Sequence, residues 1–397
     1  MHSEQAIRAA PLSTDLPLLH IRGRPLLPIV QGGMGVGVSA HRLAGAVARQ
    51  GAVGTLSSVD LRRHHEDLME KTAKCRDKAL IDAANLEALD REVRAALAIA
   101  QGNGLVAVNI MRAVSEYTHY VRQACESGAQ AIVVGAGLPL DLPDLAPDFP
   151  EVALIPVLSD ARGVAVVIRK WMRKNRLPDA IVLEHPGHAG GHVGAAKLAD
   201  IHDARFEFDV VLEGCFKVFD ELGLARGQVP LILAGGINSP ERVRELIGMG
   251  AGGVQLGTAF AVTSEGDAHP NFKRVLAEAK AEDIVEFMSV AGLPARAVRT
   301  PWLDQYLRRL PGLEARAKER KRCTLSFDCL EVCGLRDGIA KMGQFCIDLH
   351  LSAALKGDVQ RGLFFRGAAS LPFGAEIRSV RDLIAFMLGA SKPEAAL

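Results

Sequence analysis

Eight short apolar runs, separated by amphipathic stretches, constrain this chain more than any other feature. They cover residues 27–30, 52–57, 105–110, 131–135, 154–159, 180–184, 231–234 and 253–256. None shows a clean polar–apolar alternation, as expected of strands covered on both faces. The intervening segments, such as "HRLAGAVARQ", "EALDREVRAALAIA" and "PERVRELIGM", are helix-like. Strands alternating with helices make βαβ units and a parallel sheet. "RQGAVGTL", "ESGAQAIVV" and "GMGAGGVQL" each join a helix to a strand through Gly-Ala. Glycine suits the left-handed position that ends a helix. One joint used three times indicates a repeated unit, and eight units match a (β/α)8 TIM barrel. An open doubly wound sheet is the competing arrangement of the same elements.

The regularity stops near Thr263. Residues 264–344 are charged and helix-rich and carry four of the seven cysteines. The expected α/β architecture is therefore a barrel over 1–263 and a smaller helical cap over 264–344, inserted after strand eight. Residues 345–397 return to the barrel. An excursion over 197–227 is expected to form a long loop and a helix before the seventh strand. A hydrophobic content of 49% supports a sizeable core. The formal charge of +1 argues against a nucleic-acid partner. No apolar run is long enough to span a bilayer, and the start lacks a signal-peptide plan. Seven cysteines, an odd number, suit a reducing cytoplasm. The expected partner is a small-molecule substrate; a homodimer is compatible with the sequence. The basic run 316–322 reads as a solvated helix face, with a cofactor phosphate or an acidic protein as the alternative contact.

The stretch "LILAGGINSPERVRELIGMGAGGVQLGTAF" is the most informative. A strand ends in Gly235-Gly236, Asn238 or Ser239 can cap a helix, and Pro240 fits its first turn. Glycines let backbone approach a ligand, and helix N-terminal amides point at anions. One strand later come Gly257 and Thr258. Barrels of this kind often bind phosphate with the loops after strands seven and eight, and both loops stand there.

At the other end, "PIVQGGMGVGVSAHRLAGAV" contains Gly35-Val36-Gly37-Val38-Ser39-Ala40, which fits a dinucleotide fingerprint. Asp60 lies where a ribose-binding acid would sit. Against that Rossmann reading, Gln31-Gly32-Gly33-Met34 intervenes between strand and fingerprint. Gly32 and Gly33 read instead as a side-chain-free floor for a planar ring.

"EHPGHAGGHVG", residues 184–194, packs three histidines among small residues. A metal would take His185, His188 and His192 as ligands. A glycine loop is a poor frame for a metal, and no HExxH or carboxylate cluster completes a set. His185 and His188 read as polar loop residues. His192 follows the sixth strand, at the catalytic face of a barrel, and near neutral pH an imidazole can donate or accept a proton. Cys323, Cys329, Cys333 and Cys346 are separated by five, three and twelve residues. That spacing matches neither zinc ribbons nor bacterial ferredoxins. They read as reduced thiols packed in the cap, with a metal or iron–sulfur site as the minority alternative.

The ordered set "QGGMG", "VNIM", "AGGH", "AGGI" and "GVQLGTAF" resembles the nitronate monooxygenase (2-nitropropane dioxygenase) family of FMN proteins, from about Pro28 to the C-terminal helix. The same set is similar to FMN-dependent enoyl-acyl-carrier-protein reductases and to some NAD(P)H:quinone reductases. The resemblance implies FMN across the C-terminal mouth of a TIM barrel. Gly235, Gly236, Gly257 and Thr258 would hold its phosphate. Gly32, Gly33 and Met34 would line the ring, and Asn109 and Gln255 would contact ring or ribityl groups. Gly190 and Gly191 would let their loop close over the flavin, and His192 matches the family's active-site histidine. The implied activity is oxidation of alkyl nitronates with O2. The alternatives are an NAD(P)H-dependent enoyl-thioester or quinone reductase, and a non-catalytic FMN-binding module. One departure stands out: the family's Glu-Gly lead-in is here Glu184 followed by "HPGH", which leaves the substrate pocket open.

Overall fold

The computed structural model describes residues 12–325, 327 and 329–389. All eight expected runs are strands: β1 Ile29–Gln31, β2 Val53–Ser57, β3 Leu105–Met111, β4 Ala131–Gly135, β5 Ala153–Leu158, β6 Ile181–Glu184, β7 Leu231–Ala234 and β8 Gly253–Leu256. They pair in parallel in chain order, and β8 returns to β1 with Val254 opposite Ile29. The sheet is therefore a closed barrel, which excludes the open doubly wound arrangement and the Rossmann reading built on it.

Side-chain period two explains the core. In β3, Val106, Val108 and Ile110 face the helical layer, while Leu105 and Ala107 face the barrel interior. The interior is filled by small and β-branched residues, among them Val30, Val53, Val133, Ile155, Val182 and Ile232. A hairpin, Leu19–Ile21 paired with Arg24–Leu26, sends Leu19, Ile21 and Leu26 into the same cluster. A Cβ on Gly253, at the start of β8, would lie 3.3 Å from Leu19, so the hairpin closes the N-terminal end. Outside, helix His41–Arg49 buries Leu43, Ala44 and Val47. Truncating Leu43 to alanine would cost roughly 2–5 kcal/mol. Helix starts are capped by side chains: Asp160 accepts from the Gly163 amide, and Ser239 accepts from Arg242 at the start of helix Pro240–Gly248.

The excursion before β7 forms short 3-10 turns and helix Phe208–Leu222. After β8 the chain contains helices Pro270–Glu278, Pro301–Ala315 and Ile347–Leu355. It also contains an antiparallel pair, β9 Ile284–Met288 and β10 Pro294–Val298. The free edge of β10 pairs with Gly191–His192 of the loop after β6. This segment therefore joins the barrel's catalytic face through a β ladder. Helix Val380–Met387 then packs beside helices His41–Arg49 and Pro240–Gly248. Among the described residues, no helix is long and apolar enough to cross a membrane.

Candidate active site

The C-terminal strand ends surround a cavity of about 300 Å³. Gly32, Gly33 and Met34 line it after β1, and Asn109 lines it from β3. Gly190, Gly191 and His192 come from the loop after β6. Gly235 and Gly236 follow β7, and Gln255, Gly257 and Thr258 come from β8 and its loop. The structure thus brings all twelve of these positions to one cavity.

The glycines do different jobs there. A Cβ on Gly33 would lie 2.2 Å from the Asn109 Cβ, and one on Gly32 would lie 3.2 Å from the Gln255 side chain. The space beside this backbone is taken by Asn109 and Gln255, so it is not a bare floor. Gly190 is also packed: its Cβ would meet the Arg366–Gly367 backbone at 2.5 Å. Gly257 differs, because its Cβ would meet nothing nearer than the Met34 sulfur at 3.9 Å. Gly235 and Gly236 have φ of 108° and 74°, the left-handed region that glycine enters without strain. Thr258 Oγ1 accepts from the Gly367 amide at 3.0 Å. Half-buried glycine backbone ahead of helix Pro240–Gly248 and the open side of Gly257 leave room for a phosphate monoester. The residues present therefore fit FMN.

The candidate catalytic histidine is placed by partners remote in sequence. His192 pairs in register with Ala295 of β10, and its Nε2 lies 2.7 Å from Ser289 Oγ, 97 residues away. The Ser289 hydroxyl is buried and already accepts from the Ala291 amide at 3.2 Å. Its own proton can go to Nε2. If Ser289 donates to Nε2, the ring carries its proton on Nδ1. Removal from water pushes the His192 pKa down to about 4. A ring with that pKa is neutral at physiological pH and suits hydrogen bonding better than proton donation.

Glu184, the last residue of β6, also faces the cavity. Desolvation raises its carboxyl pKa to about 7, against the opposing pull of Arg296. Arg296 is itself committed to Glu286 and to the Ala189 carbonyl. Sequence reasoning missed both Glu184 and Ser289. Its position at a strand end could have flagged Glu184; nothing local could have flagged Ser289.

The three histidines separate. His185 is buried, with Nδ1 accepting from the Gly187 amide at 3.0 Å, so it is a packed residue and not a polar loop residue. His188 lines the cavity. Among the described residues, no group of three or more His, Cys, Asp or Glu is arranged to hold a metal ion. Cys323, Cys329, Cys333 and Cys346 are free thiols. Burial, with Asp348 and then the other three cysteines nearby, drives the Cys329 thiol well above its ordinary pKa. Only Cys329 of the four lines the cavity.

Asp60 does not line the cavity. It is buried, with a 2.7 Å ion pair to Arg62 and a second to Arg63, so it is structural and not a ribose ligand. Neither the run 316–322 nor Lys341 reaches the cavity, whereas Arg366 does. Arg366 is buried and donates to the Leu276 and Gly367 carbonyls.

Comparison with known proteins adds a family and a fold. The family model described as nitronate monooxygenase matches residues 24–388. A probable nitronate monooxygenase of Bacillus subtilis (strain 168) is 26% identical over 293 residues, 70% of this chain and 78% of that protein. Nitronate monooxygenase of Pseudomonas aeruginosa is 32% identical over 74 residues, 19% of this chain and 21% of that protein. Among solved structures, FabK from Thermotoga maritima superposes with a TM-score of 0.62 at 22% identity, covering 91% of this chain and 92% of that one. Nitroalkane oxidase from Streptomyces ansochromogenes gives 0.60 at 18% identity, covering 92% and 96%. The enoyl reductase domain of MlnA from Bacillus amyloliquefaciens gives 0.52 at 12% identity, covering 73% and 67%. At such identities these likenesses show the fold alone.

Proposed function

The chain belongs to the nitronate monooxygenase family, and on that premise we propose that this FMN-dependent oxidoreductase oxidises alkyl nitronates with O2. FMN, when bound, supplies the electron transfer; the protein supplies placement and electrostatics. Gly235, Gly236, Gly257 and Thr258 would hold the phosphate. Met34, Asn109 and Gln255 would meet the ring and ribityl chain. The Glu184 carboxyl, with no hydrogen-bond partner among the described residues, would accept from a ribityl hydroxyl.

The observation that carries the proposal is the place of His192, which lines the cavity with Nε2 2.7 Å from Ser289 Oγ. A nitronate is an anion, and protonation at carbon returns it to the neutral nitroalkane. An imidazole titrating near neutrality would offer that proton. His192, with its pKa pushed down to about 4, does not. Its Nδ1–H can still donate a hydrogen bond to a nitronate oxygen and hold the anion. Apolar cavity residues such as Val36, Val59 and Leu351 suit the alkyl group.

The test is anaerobic mixing of the flavin-loaded protein with an alkyl nitronate, following flavin absorbance. Bleaching by the nitronate and recovery of colour with O2 are expected. A second reading, an NAD(P)H-dependent enoyl-thioester or quinone reductase, draws support from the fold shared with the enoyl reductase domain of MlnA. Rapid bleaching by NADH or NADPH, with none by nitronate, would replace the first reading with the second.

A further inference from the structure

Of the three loop histidines, His188 alone has an exposed side chain, and it lines the cavity beside Gly236. No hydrogen-bond partner of its ring nitrogens occurs among the described residues. Its position is nevertheless well defined. The His188 amide donates to the His185 carbonyl at 3.1 Å, and its carbonyl accepts from the Ala368 amide at 3.1 Å. The ring lies against that of His185, with centroids 4.5 Å apart. On its other side lies Gly236, where a Cβ would come within 2.9 Å of the His188 Cγ. This is the turn that leads from β7 into helix Pro240–Gly248.

Positive groups gather here, but most are committed. Burial and then Arg296 lower the His188 pKa, the Glu207 carboxylate opposes them, and Arg242 adds to the lowering, so the ring is a neutral donor among mixed charges. Arg242 is paired with Glu245 at 2.7 Å and lies over Phe208. Arg296 is held by Glu286 and the Ala189 carbonyl. The Asn238 amide is bonded to Ser370. Among the described residues, the His188 imidazole is a side-chain N–H donor beside Gly236 whose ring nitrogens have no protein partner.

We infer that His188 donates a hydrogen bond to the terminal phosphate of the flavin, so this chain grips its cofactor with a side chain as well as with backbone. This rests on the FMN reading above. A neutral ring suffices, because one nitrogen always carries a proton. The ligand class is a phosphate monoester dianion, and the neutral riboflavin part of the cofactor gains nothing from the contact.

The test compares FMN with riboflavin, which lacks the phosphate. Flavin-free protein is titrated with each while flavin fluorescence quenching is followed, for the wild type, His188→Ala and His188→Gln. His188→Ala should weaken FMN binding roughly 10- to 100-fold, the range for a hydrogen bond to a charged group, and leave riboflavin binding unchanged. His188→Gln, which keeps a side-chain N–H, should recover part of the loss. Unchanged FMN affinity in His188→Ala would overturn the inference. Equal weakening of FMN and riboflavin would also overturn it, by showing that the ring only packs. A wild type that binds neither flavin would overturn the cofactor reading itself, which is a different result.

Discussion

The two ends of the cavity are built in opposite ways. At the glycine end, Gly235–Gly236 and Gly257–Thr258 lie within one or two residues of the strands that place them. Backbone conformation and missing side chains do the work there, and both are local properties. At the histidine end, His192 depends on Ser289, Ala295 and Phe365, all from the segment after the barrel. That segment removes water from the ring and pushes its pKa down to about 4. The comparison teaches that the glycine conformations are set beside the barrel strands and only braced by Gly367 and Ser370, whereas the surroundings of His192 come from the added segment. His188 and His192, four residues apart in one loop, fall on the two sides of this divide.

The comparison breaks most visibly at His192. His192→Ala should retain bound flavin and lose about 100- to 1000-fold in nitronate turnover, the range for removing a donor from a developing charge. Steady-state kinetics on the yellow variant checks this. Loss of flavin together with activity would mean that the two ends are not separable.

Gly257→Val strikes the other end. Its φ of −106° accepts a side chain, so the fold should survive. The new methyl groups would enter the open space beside Met34. FMN affinity should fall about 10- to 100-fold by overpacking, with the melting temperature almost unchanged. Unaltered affinity would move the phosphate away from this loop.

Ser289→Ala sharpens the account of the histidine end. It removes the donor that selects the His192 tautomer, and turnover should drop a few-fold to about tenfold with flavin affinity unchanged. A full-strength variant would show that β10 pairing alone orients the ring.

Glu184 links the two ends and offers a pH test. Its folded pKa of about 7 lies above its ordinary value of 4.5. A raised carboxyl pKa means that the folded state binds more protons, so its contribution to stability is present below 4.5 and is lost as pH rises to 7. Glu184→Gln should therefore raise the melting temperature of flavin-free protein by on the order of 2–5 °C at pH 8, with the gain vanishing toward pH 4.5. A gain independent of pH would exclude ionisation as its cause.

The smallest effect is expected from neutralising Arg320, Lys321 and Arg322 together. None of them lines the cavity, so flavin reduction by any donor should change by less than about twofold. A larger loss specific to NADPH would reveal a remote phosphate contact and strengthen the reductase reading.

The amino-acid sequence by itself determined the eight strands, their order and the glycine loops after β7 and β8. Apolar period, helix caps and glycine joints are read within a few residues, and all of them act locally. It also placed His192 on the catalytic face. Tertiary structure alone decided the surroundings of that histidine, because Ser289 and the burial that lowers its pKa come from chain about a hundred residues away. It decided that Asp60 is buried between Arg62 and Arg63 and not free for a sugar. It likewise decided that Gly32 and Gly33 make room for Gln255 and Asn109, since which side chain crosses a bare backbone is settled only when the barrel closes.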